Sequence, residues 1–280
     1  MMQTNKNNLK QNQYGNEEKF KHRIQLHKQF STNKYPWPFW VFDYLPKRDH
    51  AKVLELGGGN GLLWMVNVNR VPENWDITIT DLSAGMLENA QKNLPAYSNL
   101  HFKVVDAEQI DYPDSTFDIV IANHMLYHVE NREKALLEIR RVLKPDGMLY
   151  ASTVGNGNML ELKELIQEYD RDSNYDTVLR TIETRFSLEN GEEQLKAFFS
   201  DVQLHLYEDS LLVTDADVIV RYVLSLNDLE TGATVLDPNK AEHFKTFLDE
   251  KMKQSGGKLH IHKASGMFIC KQHGSIPDKS

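Results

Sequence analysis

The residues of this chain best suited to chemistry stand together in Glu55-Leu56-Gly57-Gly58-Gly59-Asn60-Gly61, where four of five consecutive residues are glycine and an acid stands just before them. Glycines at 57, 59 and 61 let the main chain turn tightly and approach a ligand with no Cβ in the way. If a strand precedes the run and a helix comes after it, the first N–H groups of that helix point at the ligand. The spacing also selects among ligands. A dinucleotide fingerprint requires Gly-x-Gly-x-x-Gly; counted from Gly57 the sixth position is Leu62, and counted from Gly58 the third is Asn60, so both registers fail. No Gly-Lys-Ser/Thr closes the run, which removes the phosphate-cradling Walker loop as well. A tight turn alone accounts for one or two glycines, not four.

Further acids and an amide recur downstream. Asp81 stands 20 residues after Gly61, where a carboxylate at the end of a second strand can accept from both hydroxyls of a ribose. Asp106 and Asn123 each come after another strand-like run. Glu55, Asp81, Asp106 and Asn123 thus all fall at the carboxyl ends of strands, the edge at which open α/β sheets bind ligands. A lone Asp after a strand is commonplace; the set of four carries the weight.

Two imidazoles occur in Asn123-His124-Met125-Leu126-Tyr127-His128-Val129. His124 and His128 are candidate general bases, because imidazole exchanges protons near neutrality, and at a spacing of four they share a face if the segment is helical. Bracing of the loop is the competing role. No third ligand stands nearby, so no metal is expected. His260-Ile261-His262 reads as the polar face of a strand.

These residues need elements to position them. Alternating apolar runs and helical periods predict strands over 51–56, 76–80, 101–105, 117–122 and 148–152, with helices from about Leu62, over 84–93 and around Leu136, Ile139 and Leu143. Lys144-Pro145-Asp146-Gly147 reads as a turn, with Pro presetting φ. Strands alternating with helices imply parallel βαβ units in one sheet. Before this core, Phe20, Ile24 and His27 suggest an amphipathic helix, and the aromatics of 35–42 lie beside Pro36 and Pro38, which argue against a regular helix at the start of that stretch. Beyond Thr153, helices are expected over 159–169, 215–226 and 240–252, with strands over 202–208 and 264–271. The chain thus reads as three segments: a helical lid (1–50), a ligand-binding core (51–153), and further helices with the last strands (154–280). The added helices are expected to cap the sheet's ligand-binding edge. Tyr14, Arg23, His27 and Trp37 are minor candidates for ligand contact, Arg23 being read first as a solvated charge and Trp37 as core packing. Gly59→Val is expected to abolish ligand binding, whereas Gly191→Ala, outside the loop, is expected to leave binding in place.

Composition narrows the partners. The formal net charge of −8 is spread along the chain, with no basic aromatic stretch, so nucleic acid is a poor partner. Cys270 is the only cysteine, which excludes an intrachain disulfide and a Cys-based metal site. No apolar run approaches the roughly 20 residues of a membrane span, and the polar N-terminus has no signal-peptide core. A cytoplasmic protein, monomeric or homodimeric, with no membrane partner is expected.

The glycine run and the strand ends beyond it resemble the class I S-adenosylmethionine-dependent methyltransferases, and most closely the ubiquinone/menaquinone-biosynthesis-type subgroup. Glu55, Gly57, Gly59 and Gly61 match the first motif, Glu/Asp-x-Gly-x-Gly-x-Gly, at every defined place. Asp81-Leu82-Ser83-Ala84-Gly85-Met86-Leu87 is similar to the second, and 117–123 and 143–149 resemble the fourth strand and the turn into the fifth. The resemblance covers roughly 51–153. It implies a Rossmann-like, doubly wound, mainly parallel seven-stranded sheet with an α-helical cap, and S-adenosyl-L-methionine as cofactor. It also implies the roles. Glu55 helps order the methionine ammonium region, the loop passes beside methionine and ribose, and Asp81 takes the ribose. Met86 packs near the adenine, and Leu82 belongs to the same cofactor-binding motif; Asp106 accepts from the adenine amino group and the Ala107 N–H donates to its ring. A small-molecule acceptor is the expected substrate; a protein or RNA methyltransferase, or a cofactor-binding module without turnover, are the alternatives.

Overall fold

The computed structural model describes residues 17–96, 99–227 and 231–271. Seven strands, β1 (Lys52–Leu56), β2 (Asp76–Asp81), β3 (Leu100–Val104), β4 (Phe117–Asn123), β5 (Leu143–Val154), β6 (Asp201–Val213) and β7 (Leu259–Lys271), form one sheet in the order β3-β2-β1-β4-β5-β7-β6. The pairs β1/β2, β1/β4, β2/β3 and β4/β5 are parallel. This is the doubly wound, mainly parallel sheet expected from the sequence. The chain lays β2 and β3 on one side of β1 and returns to lay β4 on the other, so the order reverses between β1 and β4. Such a reversal opens a crevice at the carboxyl ends of the strands.

The chain divides into two compact units. One comprises 37–153, 186–206 and 266–271 and includes α2 (Trp37–Asp43), α3 (Leu62–Asn67), α4 (Ala84–Asn93), α5 (Arg132–Val142) and α8 (Gly191–Lys196). Its central strands are buried on both faces, as near-continuous Val/Ile/Leu runs require. Alternate residues supply two cores. Leu54, Val120 and Leu149 pack with Leu136 and Ile139 of α5 and with Phe186 and Phe268. Val53, Ile119, Ile121 and Tyr150 pack with Trp64, Trp75 and Phe42. Cys270 is fully buried, and burial pushes its thiol pKa up, which leaves the thiol unreactive.

The other unit comprises 17–36, 154–185 and 207–265, with α1 (Glu17–Phe30), α6 (Leu160–Tyr169), α7 (Tyr175–Arg185), α9 (Ala216–Leu224) and α10 (Ala241–Gln254). Its core joins Leu26, Leu162, Ile166, Ile219, Val223 and Phe244. No described helix in the chain is long and apolar enough to cross a membrane.

The aromatic stretch 35–42 is not helical at Tyr35 and Pro36, as expected, and becomes helical at Trp37; Pro38 falls in the first turn, where a missing N–H costs no intrahelical bond. Other local readings differ from the structure. Lys144–Gly147 does not separate a helix from a strand but lies within β5 as a bulge: Phe117 pairs with Leu143 while Ile119 pairs with Met148. Among the side chains described on α1, Leu26 is fully buried, whereas Ile24 and His27 are half-buried; the Phe20 side chain lies outside the described residues. Arg23 is not a solvated charge; its guanidinium donates to the Ser225 carbonyl at 2.7 Å, capping the end of α9.

Gly191, away from the loop, is closely packed in the core. A Cβ there would stand 2.6 Å from Phe268 Cε2 and 3.2 Å from Phe186 Cε2. Overpacking of a filled core costs about 1–3 kcal/mol, so Gly191→Ala is expected to lower denaturant-unfolding stability by that amount. Gly157→Ala, with nothing within 4 Å of its would-be Cβ, is expected to change stability by less than about 0.5 kcal/mol. Equal stability of the two variants would refute this account of the core.

Candidate functional site

The loop from β1 to α3 is built on left-handed backbone: φ is 67° at Gly57, 57° at Gly59 and 78° at Gly61, a region that L side chains rarely adopt. Gly58 is excluded from substitution for a different reason. A Cβ on it would lie 2.6 Å from Ile79 Cγ2 and 2.7 Å from Glu55 Oε2. The loop is tied to the next strand by Gly58 N donating to Thr80 O at 2.8 Å.

Asp81, at the end of β2, completes that tie. Its Oδ2 accepts from Gly59 N at 3.0 Å and its Oδ1 from Ser83 N at 2.8 Å. Burial raises its pKa, opposed by these N–H donors, which favour the ionised form. Each carboxylate oxygen can accept more than one hydrogen bond, so the pair keeps acceptor capacity for a diol.

Glu55 is 2 % exposed and lies at the end of β1. Burial raises its pKa to about 7; the Trp64 indole, donating to Oε2 at 2.6 Å, pulls it down, and the Asp81 carboxylate pushes it up. After β3, Asp106 accepts from Glu108 N at 3.0 Å, which shapes the loop there, and Ala107 beside it is buried. Leu82 is half-buried. Met86 is 1 % exposed, so it backs the site from within the protein with almost no surface of its own.

Asn123 closes the β4 end. Its Oδ1 accepts from Ser152 Oγ at 2.5 Å and Trp37 Nε1 at 3.2 Å. An indole N–H can only donate, which fixes the amide orientation and leaves the NH₂ as the donor still to be used. Ser152 Oγ in turn accepts from His124 N at 2.9 Å.

His124 and His128 do not share a helical face. His124 takes a left-handed φ of 52°, and only a single 3-10 turn, Leu126–His128, comes after it, so the α-helical spacing rule does not apply. The His124 ring lies 5.0 Å from Trp37 and the His128 ring 4.5 Å from Tyr127, between centroids. A non-glycine residue held at positive φ stores strain of the kind that gathers at functional sites.

The structure therefore gathers Glu55, the loop glycines, Asp81, Asn123 and His124 in one unit at the switch between β1 and β4. Three residues were not singled out for this place: Trp37, read mainly as core packing, together with Ser152 and Trp64. The available signal was chemical, since a buried indole N–H needs an acceptor. Arg23 and His27 lie in the other unit, with Ser225 and Tyr222; Tyr14 falls outside the described residues. His260 and His262 are exposed strand residues facing Ser210 and Glu161, and no metal-competent cluster of three occurs among the described residues.

The site fits a ligand bearing both donors and acceptors. Asn60 Oδ1, in the glycine loop, is buried with no hydrogen-bond partner, a costly state that a ligand donor would relieve. The strand ends offer two carboxylates, for a cation and a diol, and an amide NH₂ for an acceptor.

A family described as a methyltransferase domain matches residues 54–151. The ubiquinone/menaquinone biosynthesis C-methyltransferase UbiE of Hydrogenovibrio crunogenus is 37 % identical over 100 residues, 35 % of this chain and 39 % of that protein. The malonyl-[acyl-carrier protein] O-methyltransferase 2 of Ilyobacter polytropus is 29 % identical over 123 residues, 44 % of this chain and 47 % of that protein. The chain thus spans less than half the length of these curated relatives. In fold it is similar to the Haemonchus contortus phosphoethanolamine N-methyltransferase 2 in complex with S-adenosyl-L-methionine, with a TM-score of 0.59 and 18 % identity, covering 96 % of this chain and 60 % of that one.

The raised pKa of Glu55 carries a stability signature in the ligand-free protein. Because the folded state holds this proton more tightly than the unfolded chain, stability falls as pH rises from the unfolded value of about 4.5 to the folded value of about 7 and is flat above it. The full effect is about 3 kcal/mol. Glu55→Gln is expected to lose this slope, so that its stability relative to the unaltered protein climbs between pH 4.5 and 7 and then levels. Denaturant titrations of both proteins across pH 4.5–8.5 check it; parallel curves would contradict it.

Proposed function

Because residues 54–151 form a class I S-adenosylmethionine-dependent methyltransferase domain of the UbiE type, we propose that this chain transfers the methyl group of S-adenosylmethionine to a small-molecule acceptor. The observation that carries the reading is the Gly59–Asp81 tie at the switch between β1 and β4. It places a carboxylate with spare acceptor capacity against a glycine loop whose own residues at 57, 59 and 61 carry no side chain.

When bound, the cofactor supplies a methyl group activated on a sulfonium, and the work left to the protein is positioning and exclusion of water. Asp81 holds the ribose hydroxyls, while Glu55 faces the methionine ammonium with a negative charge. Asp106 and the Ala107 N–H receive the adenine, Leu82 covers it and Met86 supports it from behind. Asn123, pinned by Ser152 and Trp37, keeps its NH₂ aimed by the network rather than by chance. For a hydroxyl or protonated amine acceptor a base is required; His124, with its ring set against Trp37, is the better placed of the two imidazoles, and His128 is the alternative. A carbon acid or thiolate acceptor needs neither.

The net charge of −8 favours a small acceptor over RNA, whose binding draws on clustered cations. The relatives named for C-methylation in ubiquinone/menaquinone biosynthesis and for O-methylation of malonyl-[acyl-carrier protein] are in keeping with a small acceptor group.

Removing the Asp81 carboxylate deletes two charge-assisted hydrogen bonds, worth about 2–3 kcal/mol in all. Asp81→Ala is expected to weaken S-adenosylmethionine about 30- to 150-fold by calorimetry with the fold retained. Transfer of label from methyl-labelled cofactor into a metabolite extract tests turnover. Tight cofactor binding with no transfer to any fraction would favour a binding module, and no binding at all would end the methyltransferase reading.

A further inference from the structure

Trp64 and Glu55 are each 2 % exposed, and the indole Nε1 donates to Glu55 Oε2 at 2.6 Å. A buried indole N–H must find an acceptor, and a carboxylate is the strongest acceptor a side chain offers. The same oxygen lies close to the loop, since a Cβ on Gly58 would come within 2.7 Å of it. Oε2 is therefore held by the indole from α3, in space that only a glycine at position 58 leaves open. Among the described residues Oε1 accepts no hydrogen bond, the indole being the only donor to this carboxylate.

We propose that Trp64 is a positioning residue for the cofactor: it locks one oxygen of Glu55 so that the other is presented to the cationic methionine end of S-adenosylmethionine. This rests on the reading of the site given above.

The consequence is that cofactor uptake is coupled to a proton. Nε1 can only donate, so it supports ionised Glu55, while burial and the Asp81 carboxylate on β2 support the protonated form. Asp81 is the one charged group among the described residues that acts on this carboxylate, and Gly58, which borders it from the loop, carries no charge. With Glu55 balanced at about 7, roughly half the ligand-free molecules are protonated at pH 7 and nearly all at pH 5.5. An arriving cation favours the carboxylate and expels that proton. Affinity is expected to fall as pH drops below 7, by up to about tenfold per pH unit. Without the indole N–H, Glu55 becomes harder to ionise, so this fall begins at higher pH.

Calorimetry of S-adenosylmethionine binding between pH 5.5 and 9, in two buffers of different ionisation heat, counts the protons released. The unaltered protein is expected to release close to one more proton than Glu55→Gln at pH 5.5 and about half a proton more at pH 7. The Gln variant subtracts the titration of the cofactor's own amine. Trp64→Phe is expected to bind about tenfold more weakly at pH 7, with its affinity profile displaced upward in pH. A second measurement needs no Trp64 variant. In the ligand-free protein one indole N–H resonance should titrate near pH 7, and that titration should vanish in Glu55→Gln. Binding with equal proton counts in the unaltered and Gln proteins, an unmoved profile in a folded Trp64→Phe, or no titrating indole each overturns this inference alone. Absence of cofactor binding at every pH overturns the site reading as well.

Discussion

The hydrogen bond from Gly59 N to Asp81 Oδ2 is the constraint on which the site depends. It can form only if the main chain passes the end of β2 with its N–H turned toward the carboxylate. That direction demands left-handed backbone, and three glycines provide it. The parallel register of β1 with β2, Glu55 opposite Ile79, then sets the two carboxylates near one another at the same sheet edge. The positions of Glu55, Asn60 and Gly61 are consequences of this one closure.

Two acids so placed raise each other's cost of ionisation, and burial adds to it. The protein answers with donors rather than with cations: main-chain N–H groups for Asp81 and an indole for Glu55. Donors of fixed position stabilise charge without neutralising it. The site thus keeps a negative field able to act on a cation, while one carboxylate hovers between its two protonation states.

The β4 end is organised by a different device. The chain Trp37 Nε1 and Ser152 Oγ to Asn123 Oδ1, with His124 N to Ser152 Oγ, satisfies the amide oxygen twice over. It also helps hold His124 in its left-handed conformation. A strained residue persists only where its surroundings over-determine it, and here a main-chain bond, a ring contact and the start of a 3-10 turn do so together.

The sequence by itself determined the alternation of strands and helices from 51 to 153, because two-sided burial of parallel strands leaves apolar runs that turn-forming residues interrupt. It also determined that Glu55, Asp81, Asp106 and Asn123 end strands, since a strand end is marked locally by where its apolar run stops. Left undecided were features set by partners far along the chain. Trp37 is 86 residues from Asn123, and nothing local in an aromatic-rich stretch says which ring meets which amide. The spacing of His124 and His128 was readable, but their conformation was not, because a left-handed residue is selected by contacts rather than by its own preference. The packing of Phe186 and Phe268 against Gly191 has no local mark in the sequence, and Lys144–Gly147 has the residues of a turn, yet β4 draws it into the sheet. Local patterns fix elements because the chain's own periodicity decides burial; contacts between distant residues fix the chemistry, and those exist only once the sheet has closed.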